Sequence, residues 1–167
     1  RGAPLVGTMK SSPIILPNNP DPSMQIPTEM SAITVPRPGG PEMLQLATMP
    51  VPRPQPGEVL IRVAAAGINA PDLAQRAGGY PPPPGASPLL GLEVSGEIVV
   101  AAGEWKTGDT VVALCNGGGY AEYVAVPAGQ VLPAPGNWSL ADAAALPETW
   151  FAIAQTLIML AELHAGM

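Results

Sequence analysis

The residues best suited to chemistry cluster in one short stretch of the chain, Gly67–Tyr80. It holds an amide at Asn69, a carboxylate at Asp72, a guanidinium at Arg76 and a phenol at Tyr80. An amide and a phenol can each donate a hydrogen bond to a polar group of a bound molecule. Each also has a structural alternative. Asn69 could cap the helix that follows it, and Tyr80 could anchor a loop by packing on the next proline.

Carboxylates elsewhere in this region favour structural roles. Asp72 and Arg76 are four residues apart, a spacing that allows an ion pair on one face of a helix. Glu93 opens a strand-like run, and we interpret it as a structural carboxylate of that strand. Asp72, Arg76 and Glu93 are therefore interpreted as structural residues.

The metal-binding potential of the sequence is low. A catalytic zinc needs about three protein ligands drawn from His, Cys and carboxylate side chains. The chain has one cysteine, Cys115, and one histidine, His164, and predicted elements separate them. We predict no metal site, with Cys115 as a buried apolar thiol and His164 at an exposed helix end. A single cysteine also excludes an internal disulfide.

Nucleophilic and phosphate-binding motifs are absent from the sequence. The single histidine has no Ser or Asp that the sequence can place beside it, so no triad is indicated. No G-x-G-x-x-G pattern occurs. The triplet Gly117–Gly119 precedes a strand-like run, not a helix, and is therefore interpreted as a hairpin turn and not as a phosphate loop.

Composition excludes two classes of partner. The formal net charge is −6 and seven Lys and Arg are scattered along the chain, which argues against a nucleic-acid interface. The longest apolar stretch, between Glu148 and Glu162, is shorter than the ~20 residues that span a bilayer. No secretory leader is evident near the start of the sequence. We therefore expect a cytoplasmic protein with no membrane or nucleic-acid partner.

Short strands dominate the predicted elements. The clearest is Glu58–Ala66, where Val59, Ile61 and Val63 alternate with Glu58, Leu60 and Arg62. Further strands are predicted at Met30–Val35, Leu44–Met49, Glu93–Val100, Asp109–Leu114 and Tyr120–Val126. Many short strands joined by Gly and Pro turns predict a mainly β fold, a small and partly open barrel with short helices.

Helical signals lie at two places. Ala70–Ala77 predicts one or two helical turns, and Ser139 with Asp142 resembles a capping box that opens a short helix over Leu140–Ala145. Pro147 then begins a longer apolar helix that we expect to be buried on more than one side. The organisation predicted from these signals is a flexible Pro-rich tail (1–29), a folded domain (30–146) and a linking helix (147–167).

Several ordered motifs carry a family resemblance. The stretch PGEVLIRVAAAGINAPDLAQRAGGYPPPPGASPLLGLEVSGEI resembles the medium-chain dehydrogenase/reductase family, on the branch of the zeta-crystallin-like NADPH:quinone oxidoreductases. The motifs PGGPEML, GDTVVAL, GGGYAEYVAVPAGQVLPAP and AAALPETWFA match the same family in the right order. The resemblance extends over roughly Met24 to Met167. It implies a GroES-like barrel whose C-terminal helices lead toward a Rossmann domain that the chain lacks.

The resemblance also implies a function. Zinc-dependent members place Cys at the position of Asn69 and His at the position of Leu92, so this chain resembles the zinc-independent members. It implies NADPH as hydride donor and a quinone or enone-type small molecule as acceptor. Asn69 and Tyr80 match positions near the nicotinamide or the substrate, which makes both candidate catalytic and cofactor-binding residues. We expect the full-length enzyme to be a homo-oligomer.

A second hypothesis comes from a different class of protein. The chain could be a non-catalytic GroES-like module that binds a partner through its apolar C-terminal helices. A downstream strand followed by a glycine-rich turn and a helix would favour the enzyme, and a stop codon would favour the module. On the first hypothesis this chain alone should neither bind NADPH nor reduce quinones, because the cofactor is held mainly by the nucleotide-binding half.

Overall fold

Two antiparallel sheets form the framework of the protein. The computed structural model describes residues 26–164. The strands are β1 (Glu29–Thr34), β2 (Gln45–Pro50), β3 (Glu58–Ala66), β4 (Glu93–Val100), β5 (Thr110–Leu114), β6 (Tyr123–Pro127) and β7 (Val131–Pro133). β1 pairs with β2, and the larger sheet has the order β6-β3-β4-β5-β7. The mainly β prediction is confirmed, and both sheets are open and do not close into a barrel.

The central strand β3 has buried residues on both of its faces. Val59 and Ile61 lie in the main hydrophobic cluster, together with valines from β4, β5 and β6. Leu60 points the other way and packs with Met30 and Val51 in a second cluster. All three β3 residues are at most 1% exposed. Burying a Leu or Ile side chain contributes about 1.5–3 kcal/mol, so β3 anchors the region that carries Gly67 and Asn69 at its end.

One predicted connection is wrong. The sequence favours a hairpin through Gly117–Gly119, but the strands on either side of it are not neighbours. β5 pairs with β4 and β7, whereas β6 pairs with β3. The glycines instead bring their loop against the loop before β4. Gly118 and Tyr120 donate backbone hydrogen bonds to the carbonyl oxygens of Leu89 and Leu90, both over 3.0 Å.

Glycine is required where these two loops meet. Gly117 and Gly91 have φ values of +76° and +100°. A Cβ on Gly91 would lie 2.6 Å from the Cα of Gly119, and a Cβ on Gly117 would lie 2.7 Å from the carbonyl oxygen of Ser87. The glycine triplet thus serves close backbone approach in a left-handed conformation and not a hairpin.

Two of the short helices, α1 and α2, begin where their capping residues predict. α1 spans Ala70–Ala77 as predicted and ends at Gly78, whose φ is +86°. α2 spans Leu140–Ala143, and Oγ of Ser139 accepts the N–H of Asp142 over 3.1 Å. α3 spans Leu146–Ile153 and continues as a π-helical segment over Ala154–Leu160.

The apolar side chains of the last helix are not covered. Trp150 is 55% exposed, and Met159 and Leu160 are both more than 70% exposed. Burial of this helix on more than one side requires a packing partner that the described residues do not supply, so that expectation stays a prediction. Large exposed apolar patches are typical of regions that contact another domain or chain.

The predicted domain limits remain predictions. Most of the proposed tail, residues 1–25, lies outside the described residues. Within them, Ile26 is 6% exposed and belongs to the second cluster, and β1 already begins at Glu29. No helix in the described range 26–164 is long and apolar enough to cross a membrane.

Candidate active-site cleft

A cleft of about 490 Å³ opens beside α1 and the proline-rich loop that follows it. Its apolar lining includes Pro82–Pro84, Leu92 and Leu114. The polar side chains that line it are Gln75, Tyr80, Ser87, Asn116 and Glu148. A mainly apolar concave surface with a few polar groups is the usual character of a small-molecule site.

The two residues predicted for the site take different places. Tyr80 lines the cleft and is 45% exposed, so its phenol is accessible to a small molecule. Asn69 is partly buried, and its side-chain Nδ2 donates to Oε1 of Glu93 over 2.9 Å. Asn69 therefore contacts the carboxylate that supports the cleft, whereas Tyr80 contacts the cleft itself.

Glu93 joins Asn69 to the start of α3. It is 2% exposed, and its Oε2 accepts the backbone N–H of Glu148 over 2.9 Å. Each oxygen of the buried carboxylate thus has a donor, as burial of a charged group requires. Gly67 makes room for it, because a Cβ there would lie 2.0 Å from Oε1 of Glu93. The prediction that Glu93 is structural agrees with these contacts, which also link it directly to Asn69.

Asp72 is a second buried carboxylate and does not pair with Arg76. Its Oδ2 accepts the backbone N–H of Asn69 over 2.9 Å and the hydroxyl of Tyr120 over 3.1 Å, and its Oδ1 accepts the N–H of Gly91 over 3.0 Å. Nε of Arg76 donates instead to the carbonyl oxygen of Gly39. The predicted ion pair is wrong because Asp72, at the third position of α1, faces inward and is 3% exposed.

Burial and these carboxylates determine the electrostatics of the cleft. Burial, followed by the charges of Glu93 and Asp72, raises the pKa of Glu148 above its ordinary value. Burial and the charge of Glu93 raise the pKa of Cys115 to about 12. The thiol is therefore protonated at neutral pH and is a poor nucleophile. Burial, with the charge of Asp72 and its hydrogen bond, also raises the pKa of Tyr120.

The potential metal ligands lie apart from one another. Cys115 is 4% exposed, and its backbone N–H donates to the carbonyl oxygen of Leu92. His164 is exposed, and its Nδ1 lies 2.8 Å from the carbonyl oxygen of Glu162. Within residues 26–164 no group of three or more His, Cys, Asp and Glu side chains could hold a metal ion.

Sequence reasoning missed two of the important carboxylates. The spacing of Asp72 and Arg76 predicts a structural ion pair, although the position of Asp72 three residues after Asn69 is the spacing of a reciprocal cap. Glu148 follows Pro147 in the first turn of α3, a place where acidic residues are common, and nothing local indicates that it lines a cleft. Only the packing of α3 against the larger sheet brings it there.

Comparison with known proteins identifies the domain. The family model described as "Alcohol dehydrogenase GroES-like domain" matches residues 55–136. The mouse "Synaptic vesicle membrane protein VAT-1 homolog-like" is 37% identical over 143 residues, which are 83% of this chain and 34% of that protein. The "Quinone oxidoreductase" of Lama guanicoe is 36% identical and covers 82% of this chain and 43% of its own length.

A solved structure supports the same assignment. The crystal structure of the human synaptic vesicle membrane protein VAT-1 homolog-like protein superposes with a TM-score of 0.74 at 36% identity. The match covers 83% of this chain and 46% of that one. The chain thus spans less than half the length of the relatives it matches. The fold, the ordered motifs and these matches together show that the chain belongs to the alcohol dehydrogenase GroES-like domains of the medium-chain dehydrogenase/reductase family.

Proposed function

We propose that this domain forms the acceptor side of an NADPH-dependent oxidoreductase that reduces a quinone or another conjugated carbonyl. The observation that carries the proposal is the exposed phenol of Tyr80 in a cleft whose lining also includes Leu92 and Glu148. The quinone oxidoreductases among its relatives support the same reaction class. Because the chain covers only part of those relatives, the activity belongs to a complete enzyme that contains this domain.

NADPH, when bound, supplies the hydride for this reaction. The chain itself offers little to hold it, since its sequence contains no glycine-rich dinucleotide loop. Tyr80 is accessible for contacts at the nicotinamide end of the cofactor. Asn69 is the second candidate, because its hydrogen bond to Glu93 gives its amide a fixed direction. Most of the cofactor-binding energy must come from a nucleotide-binding domain.

Tyr80, Asn69 and the apolar lining of the cleft have separate proposed roles. The hydroxyl of Tyr80 donates a hydrogen bond to the carbonyl oxygen of the acceptor, where negative charge develops during hydride transfer. Asn69 orients the carboxamide or the acceptor through its amide. Leu92 and Pro82–Pro84 exclude water from a planar ring. Carbonyl polarisation is thus assigned to hydrogen-bond donors and not to zinc, because Asn69 and Leu92 stand where zinc-dependent members have ligands.

Steady-state kinetics of the complete enzyme test this proposal. NADPH oxidation should accelerate with simple benzoquinones and naphthoquinones, and simple alcohols with NADP⁺ should give no turnover. Equal activity with alcohols, or absence of any quinone-dependent NADPH oxidation, would rule it out.

We further propose that the enzyme is cytoplasmic and homo-oligomeric. Gel filtration with light scattering tests the oligomeric state, and imaging of a tagged protein tests the compartment.

The exposed apolar surface of α3 favours a second candidate function. A non-catalytic module could use Trp150, Met159 and Leu160 to bind a partner protein, because these side chains are mostly exposed. The same surface suits contact with a nucleotide-binding domain of its own chain. The coding sequence after Met167 discriminates between the two. A strand followed by a glycine-rich turn and a helix supports the enzyme, and a stop codon supports the module.

A further inference from the structure

The charge on the described lining of the cleft is of one sign, and that sign is negative. Among the described residues that line it, Glu148 is the only side chain of the Asp, Glu, Lys, Arg or His type. The remaining lining is neutral and consists mainly of proline, leucine, serine and amide side chains. An anion that entered the cleft would therefore meet a carboxylate and no cation.

Two further carboxylates lie close to Glu148. Glu93 on β4 accepts the backbone N–H of Glu148, and Asp72 on α1 is buried with it. After burial, the charges of Glu93 and Asp72 raise the pKa of Glu148. Their hydrogen-bond partners are amides and the hydroxyl of Tyr120, which leave the negative charge uncompensated. Glu148 therefore faces like charges from both elements.

The arginines on α1 and β3 make their contacts with residues outside the cleft lining. Arg76, at the end of α1, donates through Nε to the carbonyl oxygen of Gly39. Arg62 on β3 pairs with Glu97 on β4 over 2.8 Å, in a partly exposed position on the larger sheet. Neither arginine lines the cleft. The local field there is thus negative, and clefts with low-dielectric walls concentrate such a field.

We propose that the cleft selects its acceptor by charge and that Glu148 is the residue that determines this specificity. It admits neutral conjugated carbonyls and rejects those with a carboxylate, sulfonate or phosphate next to the reacting ring. The inference rests on the proposed function, because it names the substrate class for the same cleft. Rejection of the wrong substrate by a like charge is a common source of specificity. The apolar lining of Pro82–Pro84 and Leu92 suits the flat face of an uncharged ring.

Equilibrium dialysis of this chain tests the proposal without cofactor. The probes are 2-methyl-1,4-naphthoquinone and 1,2-naphthoquinone-4-sulfonate, each measured in thiol-free buffer at pH 7. We expect the neutral quinone to bind at least about tenfold more tightly. Glu148→Gln should bring the ratio of dissociation constants toward one, and Glu148→Lys should reverse it.

Glu104→Gln is the matched control. Glu104 is exposed on the loop between β4 and β5, so the substitution changes the net charge equally and should leave the ratio unchanged. Equal or tighter binding of the sulfonate would overturn the proposal. A preference that survives in Glu148→Gln, or the failure of both quinones to bind, would also overturn it.

Turnover of the complete enzyme separates this inference from the proposed function. If neutral quinones bind selectively but NADPH does not reduce them, the proposed function fails and charge selection stands. If NADPH reduces neutral and sulfonated naphthoquinones with equal kcat/KM, the function stands and charge selection fails. We expect kcat/KM for the neutral quinone to exceed that for the sulfonate by about tenfold or more. In Glu148→Gln this ratio should be smaller.

Discussion

Nδ2 of Asn69 donates to Oε1 of Glu93 over 2.9 Å, and Glu93 is buried. The same carboxylate accepts the backbone N–H of Glu148 at the start of α3. One side chain therefore connects the segment after β3, where Asn69 caps α1, to the helix that follows the two sheets. The geometry makes Glu93 a positioning residue for Asn69 in the proposed reaction.

Replacement of Glu93 by Gln should destabilise the protein. The side-chain amide of glutamine has one oxygen that accepts and one NH2 group that donates. Either Nδ2 of Asn69 or the backbone N–H of Glu148 would therefore face a donor in place of an acceptor. We expect a loss of about 1–3 kcal/mol in the free energy of unfolding, measured by urea denaturation. Glu97→Gln on the same strand is the control. It removes a partly exposed ion pair with Arg62 and should cost at most about 1 kcal/mol. Equal losses in both variants would contradict this role.

Replacement of Tyr80 by Phe should lower activity and leave stability almost unchanged. The phenol is 45% exposed in the cleft, so the fold does not depend on its hydroxyl. Loss of one oriented hydrogen bond should reduce kcat/KM of the complete enzyme by a factor that corresponds to about 1–3 kcal/mol of transition-state stabilisation. Tyr120→Phe provides the contrast, because its hydroxyl donates to Asp72 and its loss should lower Tm. Unchanged kcat/KM with several quinones would return Tyr80 to a structural role.

Replacement of Gly67 by Ala should place a methyl group against the carboxylate of Glu93. The new Cβ would lie 2.0 Å from Oε1, so the carboxylate or the backbone must move. Overpacking of this kind costs about 1–3 kcal/mol of stability, which chemical denaturation would detect. Gly129→Ala is the matched control, since no described heavy atom lies within 4 Å of its Cβ. A Gly67→Ala protein as stable as the control would show that Glu93 adapts freely.

The pH dependence of stability should reveal the carboxyl group of Glu148. Its pKa is raised in the folded protein, so folding favours its neutral form. The protein is therefore more stable at a pH below the pKa that Glu148 has in the unfolded chain than at neutral pH. This contribution to stability is lost as the pH rises through the pKa that Glu148 has in the folded protein. Glu148→Gln should raise Tm at pH 7, and its advantage should shrink as the pH falls toward 4.5. An advantage that does not change with pH would exclude a perturbed Glu148.

Metal content gives a direct test of the zinc-independent assignment. We expect the purified chain to contain less than about 0.1 zinc per molecule after dialysis against a mild chelator, because a catalytic site needs about three ligands. Elemental analysis measures this quantity. Leu92→His together with Asn69→Cys provides a comparison, as it adds ligand types at two positions. About one tightly held zinc per wild-type chain would sink the assignment.

Local patterns in the sequence determined the elements of this protein. Alternation in Glu58–Ala66 predicted β3, and Asn69 and Gly78 lie at the two ends of α1, as capping residues do. The ordered motifs predicted the family that the comparisons show. These features could be predicted because strand alternation and helix capping depend on residues only a few positions apart.

The tertiary structure alone decided which polar groups meet. Asn69 and Glu93 are 24 residues apart, Tyr120 and Asp72 are 48 apart, and the Glu148–Glu93 bond spans 55. No local periodicity encodes such contacts, since they depend on which strands become neighbours. The same limit explains the error at Gly117–Gly119, where a turn-forming sequence is compatible with a hairpin and with a close loop contact. The strand order β6-β3-β4-β5-β7 selected the loop contact, and with it the lining of the cleft.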